Sequence, residues 1–396
     1  MGRSFYIMLR KGGRSAKVRK YGSFMIYLDY AALTPASEET LQVFCDTVRR
    51  YPANPNSAHA AGLEAQALLD SCTQRILHRL SANGSEIVYT SGAGEANNLA
   101  LKGIAAQYKR YGRHIISTYM EHSSVNGALA ALQHNGFEIS YADTSADGRV
   151  DIAHLESLLR DDTILVSVCA VDSELGIRQP IERIAALLAD RPHCFFHADA
   201  AQAVGKTQCA IDGIDLLTFA PYKFCGLPGC GVLVKRSDVI LEPLIHGGTS
   251  TSPYRSGTPA LGLITSAAQA LDIALDHMDA HIKYVQALND RLRTALSVYP
   301  RLVANSTAHA IPHILNISLP GINTRRFLSE LSSRGVCLSE KSACCAPRTP
   351  SRPVYAMTND KKRALSTLRI SLSHLTTDAE LDAFLAHFDD VYRLLA

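Results

Sequence analysis

Strand-like and helical segments alternate between residues 40 and 235, and this alternation limits the fold more than any other feature of the chain. Short apolar runs predict strands at 86–89, 114–118, 163–171 and 194–198, followed by Leu216-Leu217-Thr218-Phe219 and Val232-Leu233-Val234. Helical patterns separate these runs, at 60–80, from about 95, at 124–135 and at 181–189. We therefore predict an α/β fold, in which a mostly parallel sheet is flanked by helices and the crossovers are right-handed.

The last third of the chain predicts a smaller unit. Its apolar patterns are a long helical stretch at 263–297, a strand near 313–318, a helix near 324–334 and a second apolar segment at 366–372. The last helix opens with the capping box Thr377-Asp378-Ala379-Glu380. We expect a large cofactor-binding domain at 25–262, a small α+β domain at 263–396 and a basic, disordered extension at 1–24.

Composition and charge exclude several classes of protein. The 396 residues are 47% apolar and 19% charged, which is typical of a soluble globular protein, and no apolar run approaches the roughly 18 residues that span a bilayer. Seven basic residues precede residue 26, so the rest of the chain is net negative despite a total of +3, and we expect no direct nucleic-acid or membrane partner. The basic extension lacks an apolar signal core, so we expect a cytoplasmic protein.

The ten cysteines are spaced unlike those of a metal or redox site, because no pair forms C-x-x-C. We expect no metal ion and predict that most of them are buried thiols in a reducing compartment. The adjacent Cys344 and Cys345 are the exception. They precede the stretch 346–353, which is too rich in proline and charge for regular structure, so we expect a mobile cysteine loop at about 340–356.

A lysine follows one of the buried strands directly. Pro221 ends the strand-like run at 216–219, Lys223 comes two residues later, and the glycine-rich segment 226–231 allows a tight turn. A lysine at the exit of a buried strand is shielded from bulk water, which lowers the pKa of its amine and makes it a nucleophile or a base. Most lysines that follow a strand are solvated, so this role depends on the neighbouring residues.

Ligands of open α/β sheets bind beyond the carboxyl ends of the strands, and polar residues follow several of them here. They are the small-residue turn Thr90-Ser91-Gly92-Ala93-Gly94, then Glu121-His122, Asp172-Ser173-Glu174, and Asp199 with Gln202. A turn that opens a helix can hold a phosphate, and a buried carboxylate needs a cationic partner. Together with Lys223, these groups suit pyridoxal 5'-phosphate.

The motifs at these positions resemble those of the cysteine desulfurase family, within the class V, fold-type I pyridoxal-phosphate enzymes, over Met25 to the C-terminus. The motifs are Tyr27-Leu28-Asp29-Tyr30-Ala31-Ala32, Asn54-Pro55-Asn56-Ser57-Ala58-His59, Thr90-Ser91-Gly92-Ala93-Gly94-Glu95, Glu121-His122, His197-Ala198-Asp199-Ala200-Ala201-Gln202, Lys223, Tyr254-Arg255-Ser256-Gly257-Thr258, Ser342-Ala343-Cys344 and Leu368-Arg369-Ile370-Ser371. The long separation of Cys344 from Arg369 is similar to that in the long-loop branch of the family.

The resemblance implies a removal of sulfur from L-cysteine, giving L-alanine and a persulfide that passes to an acceptor protein. The resemblance implies that Lys223 forms the Schiff base, Asp199 pairs with the pyridinium nitrogen and His122 contacts the ring. It also implies that Gln202 donates a hydrogen bond to the phenolic oxygen, Arg369 binds the substrate carboxylate and Cys344 carries the persulfide. Thr258 is implied to reach the phosphate of a neighbouring subunit, and therefore a homodimer. The acceptor is not implied, and Cys345 stays an alternative to Cys344.

The site departs from the family's usual pattern at the phosphate and near the ring. Gly94, Ala220 and Tyr222 stand where the family usually has threonine, serine and histidine, and Ser173 stands where asparagine is usual. Ala93, Gly94, Tyr222 and Ser173 remain our expected cofactor contacts, and Ser173 also an expected substrate contact. Each lost charge-assisted hydrogen bond is worth about 1.5–3 kcal/mol, so we expect a cofactor held more loosely than is usual.

Two other functions stay open at this point. A related pyridoxal-phosphate lyase or aminotransferase would use another amino acid, and its cysteine pair would be incidental. A catalytically degraded member would bind partners without turnover, and the altered phosphate contacts favour this reading. Six retained residues favour an enzyme: Lys223, Asp199, His122, Gln202, Arg369 and Cys344.

Overall fold

The computed structural model describes residues 25–209, 211–248, 252–342 and 349–396. The predicted extension at 1–24 and residues 343–348 of the predicted cysteine loop, which include Cys344 and Cys345, lie outside the described residues.

The described elements alternate along the chain as the sequence predicts. The strands are β1 (Ile26–Tyr27), β2 (Ser85–Thr90), β3 (His114–Thr118), β4 (Glu138–Ala142), β5 (Thr163–Ser167), β6 (Phe195–Asp199), β7 (Leu216–Phe219), β8 (Gly231–Arg236), β9 (Val303–Ala304), β10 (Ile314–Ser318), β11 (Val336–Cys337) and β12 (Thr367–Ser371). The helices are α1 (Glu38–Arg50), α2 (Ala60–Arg79), α3 (Ala93–Tyr108), α4 (Ser123–His134), α5 (Ile152–Leu158), α6 (Ile181–Leu188), α7 (Leu261–Asp276), α8 (Met278–Leu296), α9 (Thr324–Ser333), α10 (Arg352–Thr358), α11 (Lys361–Leu365) and α12 (Asp378–Leu395).

Seven strands form the central sheet, in the order β2-β8-β7-β6-β5-β3-β4. The strands β7, β6, β5, β3 and β4 pair in parallel, and only β8 runs against its two neighbours. Apolar residues of both faces are buried under helices in two separate clusters. These observations confirm the predicted α/β fold with a mostly parallel sheet. They also place the carboxyl ends of β2, β3, β5, β6 and β7 at one edge.

A smaller core collects the two remaining sheets. The antiparallel sheet β12-β10-β9 and the parallel pair β1-β11 pack against α8, α9 and α12. The capping box is present at the start of α12. The Thr377 hydroxyl accepts from the Glu380 N–H, and the Glu380 carboxylate accepts from the Thr377 N–H. Strand β1 joins this core through Ile26 and Leu28, which brings the start of the described chain beside its last third.

The prediction of one continuous helix at 263–297 is wrong, because the helix is interrupted at His277. His277 caps both α7 and α8 with a backbone outside the helical range. The apolar residues of α7 pack in the core of the central sheet, whereas those of α8 pack in the smaller core, and one straight helix does not face both. Within the described ranges, no helix is both long and apolar enough to cross a membrane.

Candidate active site

The carboxyl ends of the central strands surround a cavity of about 150 Å³. The predicted site residues that line it are Ala93, Gly94, His122, Ser173, Asp199, Gln202, Tyr222, Lys223 and Arg369. They come from several strands and helix starts, so the fold gathers residues that are far apart in sequence. Thr258 does not line this cavity, and Cys344 lies outside the described residues.

Lys223 ends a single 3₁₀ turn, Pro221–Lys223, that follows β7. Its Nζ donates to the carbonyl oxygens of Ala31 and Ala32, at 2.8 Å each. The ring of Tyr222 lies 4.9 Å from the same nitrogen. The amine is therefore held at the cavity wall by neutral acceptors that a covalently bound ligand can replace.

Hydrogen bonds through Asn97 and Ser124 connect Asp199 to His122, and the donor of each bond can be assigned. The buried Asp199 carboxylate only accepts, so the Asn97 amide must present its NH₂ group, which donates to Asp199 Oδ2 at 2.8 Å and to Ser124 Oγ at 2.9 Å. Because Ser124 Oγ already accepts from Asn97, its own O–H donates to His122 Nδ1, 2.8 Å away, and the Ser124 N–H donates to the same nitrogen at 3.2 Å. Nδ1 is therefore unprotonated, and neutral His122 carries its proton on Nε2.

The surroundings of His122 favour this neutral form. Burial lowers the pKa of His122 below its ordinary value, Lys223 and Arg369 lower it further, and Asp199 opposes them. A neutral imidazole with a fixed tautomer can donate one proton from Nε2 and take it back.

Gln202 is oriented by two neighbours. Its Oε1 accepts from Lys206 Nζ at 2.7 Å, and its Nε2 donates to Ala31 O at 2.8 Å. The amide orientation is therefore settled, and the second Nε2 hydrogen is available to an acceptor in the cavity. The predicted hydrogen bond from Gln202 to a phenolic oxygen would use this hydrogen.

Arg369 lies in the middle of β12 and is almost wholly buried. Its Nη2 pairs with Asp29 Oδ1 at 2.9 Å, and its Nη1 donates to Ser173 O at 2.9 Å. Ser339 Oγ donates to the other Asp29 oxygen at 2.8 Å. Arg369 Nε is buried without a hydrogen-bond partner, so the guanidinium keeps a donor for a further acceptor.

The turn before α3 forms the polar end of the cavity. Gly92 precedes the helix without a side-chain cap, and Glu95 instead accepts from the Ser91 N–H at 2.7 Å. A Cβ built on Gly92 meets no atom within 4 Å, and one built on Gly94 meets only Ser124 Cβ at 3.8 Å. The turn therefore leaves open space beside free N–H groups at the positive end of a helix dipole.

Thr258 lies at a neighbouring cavity of about 220 Å³, with Thr90, Ser91 and Arg255. The ion pair of Arg255 with Glu95, 3.1 Å long, fixes this region to α3. In the described chain Thr258 thus lines a different cavity from Lys223.

In the described part of the chain, the thiol-bearing residue Cys169 lines the cavity. Burial raises the pKa of its thiol well above the ordinary value, and the nearby Glu121 adds to this. Cys169 therefore stays a protonated, weak nucleophile. The described chain reaches the cavity again at Ser342, two residues before Cys344.

Pyridoxal phosphate fits these residues. Asp199 forms no ion pair with any residue that the structure describes, so a protonated pyridine nitrogen would supply its missing cation. The open turn at Gly92 and Gly94 offers N–H groups to a phosphate, and the Lys223 amine lines the same cavity. The cavity thus provides partners for the ring nitrogen, the phosphate and the aldehyde of the cofactor.

Sequence reasoning missed the residues that hold the site residues in place. They are Asn97 and Ser124 beside His122, Asp29 beside Arg369, and Lys206 beside Gln202. Ser124 had a local signal, because a serine two residues after a histidine can bond back to its ring at a helix start. The contact of Asp29 with Arg369 joins the two ends of the chain, and no local pattern announces it.

The family model for aminotransferase class V matches residues 26–384. The protein described as "Putative cysteine desulfurase IscS 1" from Bacillus subtilis (strain 168) is 35% identical over 378 residues, covering 93% of this chain and 99% of that protein. Among solved structures, the one titled "NIFS-LIKE PROTEIN" has a TM-score of 0.88 and 30% identity, covering 94% of this chain and 100% of its own. The one titled "SspA in complex with cysteine" has a TM-score of 0.77 and 31% identity, covering 87% of this chain and 98% of its own.

The agreement covers nearly the whole chain in sequence and in fold. The chain therefore belongs to the cysteine desulfurase family of class V aminotransferase-fold enzymes.

Proposed function

We propose that this protein is a pyridoxal-phosphate-dependent cysteine desulfurase, which converts L-cysteine to L-alanine and holds the sulfur as a persulfide on Cys344. The observation that carries the proposal is the meeting of Lys223, Asp199, His122 and Arg369 at one cavity. The family membership supports the same reaction.

Bound pyridoxal phosphate supplies an aldehyde that bonds to amines and a ring that accepts electrons from the substrate. Lys223 would hold it covalently, and Asp199 would keep the proton on its ring nitrogen. Gln202 Nε2 would donate to its phenolic oxygen. The N–H groups of Ala93 and Gly94, with Tyr222 beside them, would hold the phosphate, and Thr258 would reach the phosphate of a second subunit in a homodimer.

Arg369 would bind the carboxylate of L-cysteine through its unpartnered Nε, beside Ser173. Asp29 keeps the guanidinium in one orientation, which would fix the position of the substrate carboxylate. The Lys223 amine lines the same cavity and would take the proton from Cα. His122 Nε2 is the second proton carrier of the cavity.

The sulfur step uses a cysteine thiolate as the nucleophile. Cys344 attacks the sulfur of the bound substrate, an S–S bond forms, and the C–S bond breaks with its electron pair left on carbon. One proton then completes the methyl group of alanine, so no external oxidant is needed. Cys344 is favoured over Cys169 because the pKa of the buried Cys169 thiol is raised. An acceptor protein then takes the sulfur.

A reducing compartment such as the cytoplasm suits this chemistry, since the described cysteines are free thiols. The glycine at position 94 supports the proposal of a cofactor held more loosely than in relatives with a hydroxyl there.

The test is sulfide and alanine production from L-cysteine by the cofactor-loaded protein with a thiol reductant. Cys344→Ala should abolish both, whereas Cys45→Ala, which changes a cysteine on α1 away from the cavity, should leave both unchanged. Activity that survives in Cys344→Ala and disappears in Cys345→Ala or Cys169→Ala would overturn the assignment. Cofactor binding without turnover of L-cysteine would favour another amino-acid substrate.

A further inference from the structure

A second cavity of about 290 Å³ adjoins the active site, and Lys223 lines both. Its walls carry an unusual set of basic side chains. They are Lys206, His281, His313 and His374, in addition to Lys223. No aspartate or glutamate lines it in the part of the chain that the structure describes. Burial penalises the charged forms of Lys206 and of the three histidines unless a negative group lies beside them.

Lys206 is one of the buried groups of this set. An ammonium carries three donors, and among the described residues the hydrogen bond of Lys206 Nζ is to Gln202 Oε1, a neutral acceptor, at 2.7 Å. Burial lowers the pKa of Lys206 to about 7, and the charges of Lys223 and Arg369 lower it as well. The side chain therefore lacks a negative partner where one would be most effective.

His313 has an unpartnered atom in the same place. The residue is buried, and its Nδ1 forms no hydrogen bond. Burial lowers the pKa of His313 to about 3, and Lys206, His374 and His281 are close enough to lower it further. His281 and His374 stack in parallel with their ring centroids 3.8 Å apart. Buried polar atoms are nearly always bonded, so a polar atom placed beside Nδ1 would be stabilised.

Another part of the wall is apolar. Phe224, Ile273, Leu372 and Leu375 line the cavity together with the basic groups. The described residues contain no group of three or more side chains that would hold a metal ion, so the histidines are not a metal site in that part of the chain. A fitting ligand has a negative end for the basic groups and a short apolar body for the opposite wall.

We propose that this cavity is a second binding site, which takes a small organic carboxylate with its anionic end at Lys206 and His313. The apolar body lies against Ile273 and Leu372. The site is coupled to the active site, because Lys206 also holds Gln202, which faces the cofactor cavity. A carboxylate on Lys206 competes with Gln202 for its ammonium.

The test is calorimetric titration of the full-length, cofactor-loaded protein with butyrate, and with sulfate in a parallel titration. Butyrate should bind at one site per subunit and more tightly than sulfate. Lys206→Met and His313→Leu should each weaken butyrate binding by roughly tenfold or more, because each removes a donor to a charged group. The control His134→Leu changes an exposed histidine at the end of α4 and should bind butyrate as the wild type does.

Three results would overturn the proposal. Equal binding of butyrate to the wild type and to both cavity variants would show that the carboxylate lies elsewhere. Loss of binding in Arg369→Ala alone would place it at the substrate site. No binding of butyrate, or tighter binding of sulfate, would refute the organic carboxylate. If Lys206→Met does not fold, His313→Leu and His313→Gln decide the matter.

Discussion

Gly94→Thr is expected to tighten the binding of pyridoxal phosphate. Gly94 lies in the first turn of α3, at the phosphate end of the cavity, and a Cβ there meets only Ser124 Cβ at the ordinary contact distance of 3.8 Å. A Cβ at this position thus displaces no backbone atom. Its hydroxyl would add one charge-assisted hydrogen bond, worth about 1.5–3 kcal/mol, which corresponds to a dissociation constant lower by roughly 10- to 150-fold.

The measurement is a titration of dialysed, cofactor-free protein with pyridoxal phosphate, followed by its visible absorbance. Gly94→Val is the matched control, because valine has nearly the shape of threonine and no hydroxyl. The valine variant should bind as the wild type does. If threonine and valine have the same effect, the gain comes from the helix and not from the phosphate. If the wild type keeps its cofactor through extensive dialysis, the reasoning about a loosely held cofactor is refuted.

Three further changes have expected outcomes. Ser124→Ala removes the O–H donor to His122 Nδ1, so this nitrogen should be protonated more easily and the acidic limb of the pH–rate profile should move to higher pH. The kcat should fall by no more than about tenfold, and the tautomer signals of His122 in ¹⁵N NMR should change. An unchanged profile would contradict the donor direction. Arg369→Lys keeps the charge but loses the forked contact with Asp29, so KM for L-cysteine should rise by about tenfold or more with a smaller change in kcat; an unchanged KM would remove Arg369 from substrate binding. Burial lowers the pKa of His313 to about 3 in the folded chain, against about 6.5 when unfolded. The contribution of His313 to stability is therefore complete above about pH 6.5 and is lost as the pH falls toward 3, at up to about 1.4 kcal/mol per pH unit. In denaturant titrations, the stability of His313→Leu should fall less steeply with decreasing pH than that of the wild type, and an equal slope would contradict the assignment.

Local patterns were enough for the strands that carry the site. The apolar run before Pro221 predicts β7 within its observed bounds, and the predicted strand at 114–118 coincides with β3. The predicted strand at 163–171 is too long, because regular pairing ends at Ser167 while the next residues still bond to the strand beside them. Strand β4 was not predicted, since it lies at the sheet edge and its residues are only partly buried.

Contacts between distant parts of the chain could not be predicted. The pair of Asp29 and Arg369 depends on the packing of β1 and β12 in the small core, and its partners are 340 residues apart. The break at His277 has no glycine or proline to mark it, because it is set by which core each half of the stretch covers. The direction of the bonds from Asn97 to His122 follows only from the positions of all acceptors around them.

The most direct test of the central claim is a single turnover with L-cysteine in the absence of a reductant. The measurement counts the alanine formed and locates the added sulfur by mass spectrometry of peptides. The account predicts one alanine for each sulfur atom held, with the added mass of one sulfur on the peptide at Cys344, and neither product in Lys223→Ala. Alanine formed by Cys344→Ala at the wild-type rate, or the added sulfur at Cys169, would contradict it.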